Sequence, residues 1–352
     1  MNAPEREFLN ALVEAPSPSG YEQPVRRVYH DYTEGFADAV RSDVHGNVIA
    51  TRNPQGSPRV MFAGHCDELG FQVNYITSEG FIYFNTIGGH DAGVIPGRRV
   101  VVHTRNGPVA GVTGRRAIHL TPQSDRGKPA KVEDIWIDIA VADKDEALGL
   151  VQIGDPITYD VGIQDLRNGV VAGRALDNKV GAWVVGEALR RIDGAQLQAS
   201  VHAVATVQEE IGLRGAETSA FGINPLVAVA VDVTHATDHP NVDKKTAGDV
   251  TLGGGPTISR GPNFNPVVVE KLVEAAEALD MPVQMEAAGR GTGTDANAIQ
   301  LTRAGVATGL ISVPLRYMHT PSEIVALSDA DAAATLLAEF ANRISADADF
   351  TP

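Results

Sequence analysis

The sequence predicts an α/β protein, a mixed and mostly parallel sheet sandwiched by helices and interrupted by a small β-barrel domain. Three observations carry this. From about Gly169 onward, apolar runs of strand length alternate with helical patterns, as when strands are joined by crossover helices. Between Leu69 and about Asp165, short β-rich runs separated by glycine-containing turns replace that alternation, which is the texture of a small barrel or sandwich. Two strand-like runs precede Leu69. The simplest tracing folds them with the C-terminal half. Residues 1–68 and 166–352 then form one discontinuous α/β domain, and residues 69–165 form the insertion.

The elements follow in order. Residues 5–14 have the spacing of a short amphipathic helix. Proline and glycine in "APSPSGYEQP" end it, and Ser19 is placed to cap the next helix. "GNVIATRN" and "PRVMFAGH" read as strands joined by the turn "NPQGSP". In the insertion, "FQVNYI", "GFIYFNTIGG", "RRVVVHTRNGPVAGVTG", "DIWIDIAV" and "GDPITYD" are the β runs, and "KDEALGL" alone looks helical. Beyond it, "VGAWVVGEALRRI" is a helix, "SVHAVATV" a strand and "LVAVAVDV" a fully buried strand. "NPVVVEKLVEAAEALD" is a helix, "PVQMEA" a strand, "DANAIQLTRAG" a helix and "VATGLISV" a strand. "SDADAAATLLAEFANRIS" is the last helix, with Ser328 or Asp329 as its cap.

Composition narrows the function. A formal net charge of -15 over 352 residues argues against nucleic acid or an anionic membrane as a partner. The single cysteine, Cys66, excludes an intrachain disulfide and fits a reducing compartment. The first residues carry acids where a signal peptide would have lysines. No run reaches the roughly 20 apolar residues of a membrane helix. The expected location is the cytoplasm.

Sites in open α/β sheets form at the carboxyl ends of strands. The polar residues expected there are His65 and Asp67, Glu209 and Glu210, Asp232 with His235 and Asp238, and Arg316, His319 and Glu323. Asp177 stands just before a helix, where the positive helix end favours a carboxylate. Histidine and carboxylate are ligands for zinc, cobalt or manganese. Five such groups at one sheet edge suit two ions, with Asp177 the candidate to bridge them. His65 and Asp67 share a strand face, so Asp67 can orient the imidazole. Cys66 between them points the other way, into the core.

The dipeptide Glu209–Glu210 is the most informative element. As composition it is an ordinary charged pair after a strand. As chemistry it is a division of labour, in which Glu210 ligates a metal and Glu209 takes a proton from a metal-held water. Cations nearby relieve the repulsion between the two acids.

These motifs together resemble the M42 family of metallo-aminopeptidases, also called glutamyl aminopeptidase-like or tetrahedral aminopeptidases. The likeness runs nearly end to end through "SGYEQPVR", "DVHGNVIA", "AGHCDELGF", "AIHL", "IDIA", "GRALDNKVGAW", "TVQEEIGLRGA", "VDVTHATD", "GTDANAIQ" and "RYMHTPSE". Ala140 in "IDIA" departs from the glycine usual in relatives. The resemblance implies a zinc-peptidase type of sheet and two divalent ions, zinc first, with cobalt or manganese as alternatives. It implies His65 and Asp232 on one ion, Glu210 and His319 on the other, Asp177 between them, Glu209 as acid/base on a metal-bridging water and Asp67 orienting His65. It places Thr294 and Asp295 near the substrate. It also implies peptide substrates, a dimerisation role for the insertion, and dimers assembling into a tetrahedral dodecamer. Related carboxypeptidase-type hydrolases share the ligand order but insert their extra domain later in the chain. Two other readings stay open here: an N-acyl amino acid deacylase or metallocarboxypeptidase using the same site, and a non-catalytic metal-binding shell protein.

Overall fold

The run "PRVMFAGH" forms strand Arg59–His65 in the middle of the sheet. In the computed structural model, which describes residues 1–352 with the side chain of Asp125 excepted, alternate residues of this strand face two different cores. Val60 and Phe62 enter the larger core, Met61 and Ala63 the smaller, as the period of two requires. Helices Ala3–Glu14, Gln23–Glu34, Leu176–Arg191, Pro266–Ala278 and Leu327–Asn342 cover the larger-core face. Helices Arg214–Ile223 and Asp295–Ile299 cover the other.

The sheet is mixed and has eleven strands. Its centre is parallel, in the order Ser200–Thr206, Arg59–His65, Val227–His235, Ala307–Arg316. Both flanks are antiparallel: Ala39–Ser42 and Val48–Arg52 on one side, Glu323–Ala326, Val170–Gly173 and Gln164–Asp165 on the other. The strands either side of the turn "NPQGSP" are not partners, because Ser200–Thr206 lies between them.

Strands between Gly70 and Tyr159 close a separate six-stranded antiparallel barrel. Phe71, Val73, Ile82, Val100, Ile137 and Ile157 fill it, and its core is distinct from both sheet cores. "KDEALGL" is helix Lys144–Leu150.

Two expected caps differ. The second helix begins after Glu22 with no side-chain cap, and the Ser19 hydroxyl instead donates to Asp67 Oδ2 at 2.7 Å. The last helix begins after Ala326, and Asp329 accepts instead from the amides of Gly253 and Gly255 at 2.7 and 2.9 Å. A serine or aspartate near a helix start is recruited by whichever unpaired amide or carboxylate the tertiary fold brings closest.

Candidate metal centre

The parallel centre of the sheet sends its carboxyl ends to one place. His65 is the last residue of Arg59–His65, and the ladder sets Thr206 opposite it. The chain beyond Thr206 turns through Gln208, at φ 56°, to Glu209 and Glu210. Asp232 lies near the end of the buried strand Val227–His235. His319 follows the end of Ala307–Arg316 on a loop.

Asp177 arrives from the helix that crosses the sheet. Gly64 and Gly181 bring strand and helix backbones so close that a Cβ on Gly64 would lie 2.5 Å from the Gly181 carbonyl carbon. The helix start is therefore fixed against the His65 strand. Asp177 itself is extended, at φ -79° and ψ 107°, and does not cap the helix. Asn178 caps it instead. The Asn178 side-chain oxygen accepts from Gly181 N at 3.0 Å, and its amide donates to Val231 O at 2.8 Å. The Asp177 carboxylate is left free to point along the sheet edge.

Asp177 stands between the two histidines. Its Oδ1 is 3.4 Å from His65 Nε2 and its Oδ2 is 3.3 Å from His319 Nε2. His65 Nε2 also lies 3.7 Å from Glu209 Oε2 and 3.8 Å from Asp232 Oδ1. His319 Nε2 lies 3.8 Å from Glu210 Oε2. All these groups except His319 are largely buried.

Three other carboxylates hold the ligand-bearing loops. Asp67 is fully buried. It accepts from the amides of Glu209 and Glu210 at 3.0 and 3.2 Å, while its Oδ1 is 3.5 Å from His65 Nδ1. Glu22 accepts from Gln208 N at 3.2 Å. On the far side, Glu323 accepts from Asp177 N at 3.0 Å and His319 N at 2.9 Å. Sequence reasoning assigns Asp67 only the imidazole, and assigns Glu22 and Glu323 no role. Glu323 lies four residues past His319, but nothing in its spacing indicates that it reaches Asp177.

The charges conflict without a cation. Burial, with Asp232, Asp295 and Glu210 nearby, pushes Glu209 up to about 11 despite His65. Burial and Asp177 push Glu210 to about 8. Burial, with Asp177 and Asp295 adding to it, pushes Asp232 to about 8. Asp177 is buried too, but hydrogen bonds with His319 and His65 hold it below the usual carboxylate range. Burial works against a charged His65, and Glu209, Asp177 and Asp67 overcome it.

The donor set fits divalent ions. Donor atoms of His65, Asp177 and Glu210 lie within 4.8 Å of one another, and so do those of His65, Glu209 and Asp232. Glu209 Oε1 and Glu210 Oε1 are buried with no hydrogen-bond partner among the described residues, a costly state that a cation or its water would relieve. Imidazole and carboxylate without thiolate suit zinc, cobalt or manganese. Cys66 donates its thiol to Thr206 O at 3.2 Å and takes no part.

The remaining expected residues lie apart from the cluster or at its margin. Thr294 exchanges a 2.8 Å hydrogen bond with Thr292. Asp295 is buried and accepts from Thr206 Oγ1 at 2.5 Å, with Oδ1 unpartnered among the described residues. Asp238 forms a bidentate pair with Arg316 at 2.7 and 2.8 Å, and His235 is exposed.

The chain matches the M42 glutamyl aminopeptidase family over residues 46–336. It is 35% identical over 350 residues to a lysyl aminopeptidase of Pyrococcus furiosus, covering 98% of this chain and 99% of that one. The structure superposes with a TM-score of 0.93 on a TET aminopeptidase of a marine-sediment Thaumarchaeota archaeon, at 35% identity and covering 97% and 96% of the two chains. It superposes at 0.86, with 31% identity and 97% and 100% coverage, on the Pyrococcus horikoshii TET1 peptidase, which can assemble into a tetrahedron or a large octahedral shell.

Proposed function

The chain belongs to the M42 glutamyl aminopeptidase family, and from that premise we propose that it removes the N-terminal residue from peptides at a site for two divalent metal ions, with Glu209 as general acid and base. The observation that carries this reading is Asp177 standing between His65 and His319, one oxygen toward each at 3.4 and 3.3 Å. His65 and Asp232 would hold one ion, Glu210 and His319 the other, with Asp177 shared. Zinc is the first candidate, cobalt and manganese the next.

Bound divalent ions supply a Lewis acid for the scissile carbonyl and lower the pKa of water. The protein's own groups supply the rest. Glu209 takes the proton of the attacking water and hands it to the departing amine. Asp67 fixes the Glu209–Glu210 backbone, so the two side chains diverge from an anchored peptide. Asp177 and Glu210 on one side and Asp232 on the other approach His65, and as ligands they would hold the ions to which the free amino terminus would bind. Thr294 and Asp295 border this region in the proposal, with Asp295 held by Thr206.

The inserted segment, residues 69–165, is the proposed dimerisation domain, and a tetrahedral dodecamer of dimers is the proposed assembly. Light scattering should give the mass of twelve chains. No helix among the described residues is long and apolar enough to cross a membrane. A single buried cysteine fits the cytoplasm as the proposed location.

The defining test is a panel of aminoacyl chromogenic substrates offered with free and with acylated amino groups. Free substrates should be cleaved and acylated ones refused. The reverse result would make the protein a deacylase. Cleavage of neither, with metal bound, would leave a metal-binding shell.

A further inference from the structure

Glu323 has no part in the chemistry above, yet it touches two of the chain segments that carry it. It opens strand Glu323–Ala326, which is paired on one side with Val170–Gly173 and on the other with Ala307–Arg316. In that ladder Glu323 is opposite Gly173, which precedes Asp177 by four residues. Its carboxylate is buried and spans the gap: one oxygen accepts from Asp177 N at 3.0 Å, the other from His319 N at 2.9 Å.

Of the two proposed histidine ligands, His319 is the less embedded in the fold. It lies outside every strand and helix. Its backbone is left-handed at φ 62°, and Tyr317 two residues earlier is at φ 64°. Non-glycine residues stay in that region only where the surroundings over-determine them. The His319 side chain is 39% exposed, against 2% for His65. A mobile ligand contributes less to metal affinity than one already held in place.

We infer that Glu323 is a positioning residue that sets the separation of Asp177 and His319, and thereby the affinity of the half-site formed by Asp177, Glu210 and His319. The inference rests on the metal-binding reading of this cluster. It differs from a plain stabilising role, in which Glu323 would only satisfy two buried amides.

Calorimetric titration of the chelated full-length protein with Zn2+, repeated with Co2+ for its visible spectrum, separates these. Wild type should bind two ions. Glu323→Gln and Glu323→Ala should weaken the site that includes His319 by about 10–100-fold and the site that includes His65 by less, with unchanged far-UV circular dichroism. Combining Glu323→Gln with His319→Ala should weaken the His319 site by less than the two single losses together, since part of the Glu323 effect acts through His319. Two ions at wild-type affinity in Glu323→Gln would overturn the inference, as would equal weakening of both sites. Should the alanine variant not fold, the glutamine variant decides. A wild type that binds no divalent ion would instead refute the metal-site reading itself, and this inference with it.

Discussion

His65 and His319 stand at nearly equal distances from Asp177, but the fold holds them by different means. His65 is built into the parallel centre of the sheet, with Thr206 opposite and Asp67 beside it. His319 rides a left-handed loop pinned through one backbone amide. The first half of the site is part of the folding core. The second is an attachment to it. Stability and metal occupancy should therefore respond separately to mutation, and four variants test this in order of expected loss of stability.

Glu68 should matter most. It lies three residues past His65, is buried, and pairs with both Arg174 and Lys179. Those cations also hold the carbonyls of Glu14 and Ala15, so the ion cluster ties the N-terminal segment to the His65 strand. Glu68→Ala leaves two buried cations without their carboxylate and should cost about 3–5 kcal/mol, measured by urea unfolding. A loss under about 1 kcal/mol would break the claim that this half is structural.

Asp67→Ala comes next. It strands the amides of Glu209 and Glu210 and the Ser19 hydroxyl, at about 1–3 kcal/mol for a buried group left unsatisfied. Turnover should fall with it, because the proposed general base loses its anchor. Normal turnover at reduced stability would show that the Glu209 loop holds itself.

On the other half the expected losses are small. Asp238→Ala removes the partly exposed pair with Arg316 and should cost up to about 1 kcal/mol. His319→Ala should change the unfolding free energy of chelated protein by within about 0.5 kcal/mol, while weakening one metal site. A large stability loss from His319→Ala would erase the distinction between the halves. Chelation of the wild type gives the complementary reading: thermal stability should rise again on adding back Zn2+, because only the folded site binds it.

The same division governs what could be read in the sequence. The His65 strand, its partners and the carboxylates at their ends were legible, because buried parallel strands are continuous apolar runs and polar residues at their ends stand out. The barrel was legible through its short glycine-punctuated runs. Helix Arg214–Ile223 was not, since its apolar face is made of small residues such as Ala216 and Ala220, too weak a pattern to read. Strand Thr257–Arg260 has only four residues and sits in a glycine-rich stretch. Asp177 was placed correctly at a helix start, but the capping role there belongs to Asn178. The clasps made by Glu22 and Glu323 were illegible because they depend on residues 186 and 146 positions away, a distance that no local periodicity encodes.

Glu209 Oε2 lies 3.7 Å from His65 Nε2, and Glu209 Oε1 has no hydrogen-bond partner among the described residues. That position allows it either to move a proton or to join the ligands. Glu209→Gln keeps the shape and an oxygen donor but removes the base. Elemental analysis and steady-state turnover should be measured on the same preparation. The proton-transfer role predicts two ions retained and turnover reduced by about 10²–10⁴-fold. Unchanged turnover, or loss of an ion in proportion to the lost activity, would contradict it.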